Sequence, residues 1–191
     1  VGPTAAPLLK NYKNIENIII FKKRKLNLHW LDIFKKTYRI KWDIIVDFRS
    51  SILSLLLKND KKYIFKKLRN IHHIEQLNSS FGFECSNLFI PTSDDEANKV
   101  NNDLDSSYKH VVIFPGGNWT PKLWSVENFN ETMKYLIDKY DKIKFILVGS
   151  LKEKNKFYNL LIKGINEDLV IDLFGYNLTL TSAYMKKSDI F

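Results

Sequence analysis

The sequence predicts an α/β protein with parallel sheets flanked by helices. Three observations lead there. Short apolar runs rich in β-branched residues alternate with segments that are apolar at helical spacing. Residues 111 to 148 read as strand, glycine turn, helix and strand, a βαβ unit. A polar stretch between residues 91 and 109 separates two such alternations and marks the best domain boundary.

Taken in order, residues 3 to 14 suggest a helix, with Pro3 near its start, Thr4 as a cap, and Leu8, Leu9 and Tyr12 on one side. Residues 15 to 21 read as a strand, apolar at successive positions as for a strand covered on both faces. Residues 27 to 38 are amphipathic, with Leu28, Leu31, Ile33 and Phe34 expected inward. A buried strand over 42 to 48 leads through Arg49-Ser50-Ser51 into an apolar helix at 52 to 57. A short strand at 63 to 65 and a helix over 71 to 77 follow. Residues 94 to 101 can form a short helix starting at Ser93, although a hinge explains their polarity most simply.

The second half opens with the strand at 111 to 114, stopped by Pro115-Gly116-Gly117-Asn118. Ser125 caps the next helix, with Glu127 and Glu131 in its first turns and Phe129, Met133, Leu136 and Ile137 as its stripe. Then come a strand at 144 to 148 ending in Gly149-Ser150, a helix at 152 to 162, a strand at 169 to 172, the turn Gly175-Tyr176-Asn177, and a helix at 178 to 187. Residues 189 to 191 begin another strand, and both chain ends look cut. The expected organisation is a domain at 1–92, a linker at 93–109 and a second domain at 110–191, each domain incomplete.

Charge divides the chain further. Residues 1 to 90 hold 17 Lys and Arg against 7 Asp and Glu, whereas the remainder is nearly neutral. Clusters such as Lys22-Lys23-Arg24-Lys25 suit nucleic acid, an anionic membrane surface, an anionic lipid-linked substrate, or simple solvation. No apolar run approaches the roughly 20 residues of a membrane-crossing helix, and the one cysteine, Cys85, rules out an internal disulfide. A soluble cytoplasmic protein is the expectation.

Ligands of a βαβ unit gather at the carboxyl ends of its strands, where both glycine turns lie. Gly116-Gly117-Asn118 before a helix offers outward N–H groups to an anion, and Lys122 stands where an ammonium could reach a phosphate. Neither the Walker loop nor the Gly-x-Gly-x-x-Gly fingerprint occurs. Trp124 reads as packing. His72-His73 lacks the companions of a metal site, and Cys85 reads as a small buried residue.

Phe114-Pro115-Gly116-Gly117, residues 122 to 129, Leu147-Val148-Gly149-Ser150 with Glu153, and residues 173 to 178 follow one another as in glycosyltransferase family 9, which the chain resembles. That family comprises the bacterial heptosyltransferases of lipopolysaccharide core synthesis. Residues 42 to 51, and His72 through Pro91, are similar to its first-domain segments. The resemblance implies a GT-B fold of two Rossmann-like domains facing across a cleft, with the donor on the second and the acceptor on the first. It implies an inverting transfer of heptose from ADP-heptose to a lipid-linked saccharide, at the inner membrane face, with no metal and no cofactor. It also assigns Lys122 to the donor diphosphate, Glu153 to the ribose hydroxyls, and Tyr176 and Asn177 to the adenine side. Gly116, Gly117, Asn118, Thr120, Gly149 and Gly175 complete the expected donor site, with Arg49 and Ser50 on the acceptor side. The family's base and its Asp-Ser/Thr-Gly-x-x-His segment have no match here and would lie upstream of Val1 and beyond Phe191, so these 191 residues alone are expected to be inactive. The competing expectation is a non-enzymatic basic module that grips nucleic acid or an anionic surface; against nucleic acid, the aromatics are not interleaved with the lysines.

Overall fold

A computed structural model of the chain describes residues 1–82, 84, 90–117 and 119–191. Contacts divide it into two units, Val1–Ala6 with Asn14–Phe89, and Pro7–Lys13 with Ile90–Phe191.

The second unit is a three-layer α/β/α sandwich built on three parallel strands, β3 (Lys109–Ile113), β4 (Ile143–Gly149) and β5 (Val170–Phe174), in the order β3-β4-β5. Successive strand side chains point to opposite faces, and β4 uses both. Phe145 and Leu147 enter a core with Met133 of α5 (Val126–Lys139) and Phe157 and Leu161 of α6 (Leu151–Leu161). Ile146 and Val148 face the other way, toward Val100 of α4 (Asp94–Asp103) and Leu180, Ala183 and Tyr184 of α7 (Leu178–Lys187). The expected strand at the chain's end is a single parallel bridge, Ile190 to Val111. Because β4 occupies one edge of β3, this bridge lies on the other edge, so the strand order reverses at β3 as at the switch point of a doubly wound sheet.

Local signals start and stop these helices where expected. Ser125 accepts from Asn128 N, and Ser150 with Glu153 forms a reciprocal capping box. Ser93 and Glu96 form another. Residues 94 to 103, expected as part of a linker, therefore make a ten-residue helix whose polar side is exposed and whose Val100 is buried in the second unit's core. Asn130 joins α5 to α6. Its buried Nδ2 donates to the carbonyls of Leu161 (2.6 Å) and Lys163 (3.0 Å), groups left without helical partners at the end of α6.

The first unit departs further from expectation. It pairs β1 (Trp42–Asp47) with β2 (Asn59–Ile64) in parallel, flanked by α1 (His29–Thr37), α2 (Ile52–Leu56) and α3 (His73–Phe81). Pro7, with no N–H and a ring that crowds the preceding turn, reduces the predicted first helix to a 3-10 turn over Ala6–Leu9. Residues 15 to 21 join no sheet; among the described residues their backbone bonds run between Val1 and both Ile19 and Phe21. β1 is not covered on both faces, since Ile44 is 54% exposed. In α1 the buried face is His29, Ile33 and Thr37, four residues apart, while Leu28 and Leu31 are exposed; His29 stacks on Phe21, which turns the helix that way. β2 begins at Asn59, earlier than propensity suggests, because Trp42 pairs with Asn59. α3 begins later than expected because the His72 ring accepts from Ile74 N. Among the described residues no helix is long and apolar enough to cross a membrane.

Replacing Asn130 with Ala leaves two carbonyls at a buried helix end without their donor. We expect a loss of about 1–3 kcal/mol, read as a lower unfolding midpoint; an unchanged midpoint would show that the bridge carries no stability.

Candidate functional site

A cavity of about 750 Å³ opens beyond the carboxyl ends of β4 and β5, within the size range of small-molecule sites. Val148, Gly149, Ser150, Glu153, Gly175, Tyr176 and Phe191 are in its lining. The first turn of α6 supplies Glu153, and the loop between β5 and α7 supplies Gly175 and Tyr176.

Glu153 has two separate environments. Its Oε2 accepts from Ser150 N (2.7 Å) and from the Ser150 hydroxyl (2.8 Å), closing the helix cap. Oε1 lies against Gly116, where a β-carbon would stand 1.7 Å from that oxygen. The absence of a side chain at position 116 is thus what lets this carboxylate from α6 approach the loop after β3. Gly175 is required by backbone instead, with φ of +80°. Since Oε2 already accepts two hydrogen bonds, a ligand gripped by both oxygens of Glu153 would have to share Oε2 with Ser150.

The structure therefore brings Gly149, Glu153, Gly175 and Tyr176 together, with Gly116 touching Glu153. Asn177 stands at the entry to α7 and spends its Oδ1 accepting from Leu180 N (2.7 Å). Gly117, Thr120 and Lys122 lie on the exposed connection between β3 and α5 and are not in the cavity lining. Lys122 belongs to a 3-10 turn over Thr120–Lys122; its Nζ sits 5.1 Å from the centre of the Trp119 ring, and among the described residues it forms no ion pair. Trp124, expected as packing, is half exposed and meets Phe129 edge to face. Asn118 and Cys85 lie outside the described residues.

In the first unit, Arg49 and Ser50 follow β1. Asp47 holds this corner, accepting from Arg49 N (2.8 Å), Ser51 N (2.6 Å) and the Ser51 hydroxyl (2.9 Å). Burial alone would raise its pKa, but hydrogen bonds from Arg49, Ser54 and Ser51 more than offset that and hold it below the usual carboxylate range. Ser50 donates to the Phe65 carbonyl at 2.6 Å. Arg49 lines a cavity of about 700 Å³ with Lys22 and Lys23 over an apolar floor that includes Phe21, Trp30 and Leu57. His72 serves as the cap of α3, and His73 packs edge to face on Phe65. Among the described residues no three metal-ligating side chains gather.

No family model and no curated protein matches the chain. Solved structures do. A family 9 glycosyltransferase from Veillonella parvula DSM 2008 matches with a TM-score of 0.71 at 15% identity, over 98% of this chain and 63% of that one. The fold is that of the family 9 glycosyltransferases. ADP-heptose lps heptosyltransferase II of E. coli matches at TM-score 0.67 and 16% identity, over 99% of this chain and 67% of its own. E. coli heptosyltransferase WaaC, solved with ADP, matches at 0.66 and 13%, over 98% and 68%. The chain thus spans about two thirds of the length of these structures, and the family 9 fold takes in both of its Rossmann-like units, each α/β with a parallel sheet, as expected of the GT-B type.

Sequence reasoning passed over Ser150 as a cap shared with Glu153, and over Phe191 as a cavity residue. The Ser-x-x-Glu spacing at 150 to 153 was the available signal for the first; nothing local marks the second. An alanine at Gly116 must push the Glu153 carboxylate off its cap with Ser150, and we expect a cost of about 1 kcal/mol. Adding Glu153→Ala should remove that clash, so the double variant unfolds no earlier than Glu153→Ala alone. Strict additivity of the two losses would refute the contact.

Proposed function

We propose that the chain belongs to glycosyltransferase family 9 and that the complete protein transfers a sugar, heptose from ADP-heptose, to a lipid-linked saccharide of the lipopolysaccharide-core type. The observation that carries this reading is the meeting of Glu153, Gly149, Gly175 and Tyr176 around one cavity at the strand ends of a fold shared with a heptosyltransferase solved with ADP. Tyr176 and the apolar side chains of Val148, Leu178 and Met185 suit the flat face of a base. The carboxylate of Glu153 suits ribose hydroxyls as an acceptor.

The transfer we infer is a direct displacement. An acceptor hydroxyl attacks the anomeric carbon and gives up its proton to a base, the bond from that carbon to the diphosphate breaks, and configuration inverts. Charge then grows on the leaving diphosphate, where Lys122, exposed and without an ion pair among the described residues, supplies a mobile counter-charge without need of a metal. Gly117, Asn118 and Thr120 belong to the same connection and form the remainder of the proposed phosphate side. None of these residues is assigned the role of base, and on this reading the chain by itself does not turn over.

In the first unit, Lys22, Lys23 and Arg49 around an apolar cavity suit the anionic end of an amphiphilic acceptor. The surrounding excess of positive charge would favour peripheral contact with an anionic bilayer on its cytoplasmic side.

Calorimetric titration with ADP tests the donor half directly. We expect measurable binding, weakened about tenfold by Lys122→Ala, the loss of one charge-assisted contact. Tight RNA binding that falls steeply with salt, with no ADP binding, would overturn the reading in favour of a nucleic-acid module.

A further inference from the structure

The turn that carries Tyr176 is tied to a carboxylate outside the cavity. Glu96, in the first turn of α4, accepts at Oε2 from Ser93 N (2.9 Å) and from Asn11 Nδ2 (3.0 Å). Its Oε1 accepts from the hydroxyl of Thr179, a residue only 5% exposed. Asn11 also donates to the Pro91 carbonyl at 3.1 Å, which fixes Pro7–Lys13 against the start of α4 within the second unit.

Thr179 lies two residues beyond Asn177 in the first turn of α7. Its hydroxyl stands 2.9 Å from Asn177 Oδ1 as well as in reach of Glu96. A hydroxyl carries one proton, and an ionised carboxylate is the stronger acceptor. Burial alone would raise the Glu96 pKa, but bonds from Thr179, Ser93 and Asn11 outweigh burial and keep it low. Thr179 therefore gives its proton to Glu96, while Asn177 Oδ1 is left to Leu180 N. The start of α7 is thereby held from both sides, and Gly175, Tyr176 and Leu178, which line the cavity, hang from it.

We infer that Glu96, with Asn11 and Thr179, is a positioning residue for the nucleotide side of the site, acting through the turn at residues 175 to 177 and never through contact with ligand. The ligand part of this inference rests on the donor reading above; the clamp itself rests on the hydrogen bonds alone.

Amide hydrogen exchange and ADP titration on the same 191-residue chain separate the two. Tyr184→Phe is the control, because it breaks a hydrogen bond to Asp103 between the same two helices at their far end. Glu96→Ala and Thr179→Val should each raise exchange at residues 175 to 181 about tenfold above that control, and weaken ADP about fivefold. Glu96→Gln can keep an amide oxygen toward Thr179 but then turns its NH2 toward Ser93 N and Asn11 Nδ2, both donors, so it should recover only part of both. Asn11→Ala, which leaves Glu96 its other two donors, is the milder variant should the others fail to fold, and should move both readouts in the same direction. Exchange no faster than in Tyr184→Phe would overturn the clamp, and faster exchange with unchanged ADP affinity in a protein that binds ADP would overturn its role in positioning the nucleotide side. Faster exchange in a protein that never binds ADP would support the clamp and overturn the donor reading.

Discussion

The cavity end of the second unit is organised around one close approach, that of the Glu153 carboxylate to the backbone of Gly116. A carboxylate beside a strand end is stable only if its oxygens are solvated or hydrogen-bonded, and here Ser150 provides two of those bonds from within the same helical turn. The approach brings the loop after β3 against the start of α6, and so draws the ends of two neighbouring parallel strands toward one cavity. Any residue larger than glycine at position 116 displaces either the carboxylate or the loop.

A common device runs through the site. The helices α4, α6 and α7 all begin with a polar residue whose oxygen accepts a backbone N–H, and at α4 and α6 the partner is a glutamate in the third helical position. Such a glutamate quiets unpaired donors and complements the positive end of the helix. In this unit both glutamates also reach sideways, Glu153 to Gly116 and Glu96 to Thr179. Capping and site geometry are therefore coupled, and the cavity inherits the rigidity of the helix starts around it.

Much of the second unit is legible in the chain itself. The apolar strands, the glycine after each, Ser125 as a cap and the helix at 178 to 187 are local features, and the structure forms them within a few residues of expectation. The first unit is less legible. Apolar periodicity at residues 15 to 21 marks a strand, but a strand exists only where a neighbour accepts its ladder, and Val1 is the partner those residues have among those described. Leu28 and Leu31 look inward on a helical wheel, yet the ring of Phe21 selects the His29 face for burial. The polar run at 93 to 103 reads as a hinge because its acidic first turn and exposed face hide a single buried apolar residue, Val100.

By itself the sequence determined the alternation of strand and helix, where the glycine turns fall, and the polarity that divides the chain, because these follow from propensity and side-chain periodicity within a few residues. Only the tertiary structure decided that Glu153 enters the space beside Gly116, that Thr179 answers to Glu96 more than 80 residues earlier, and that Lys122 rests over Trp119 outside the cavity lining. Those are matters of distance between segments remote in the chain. No local pattern encodes them, because which carboxylate meets which backbone is settled by how β3, β4 and β5 pair and how the helices pack across them.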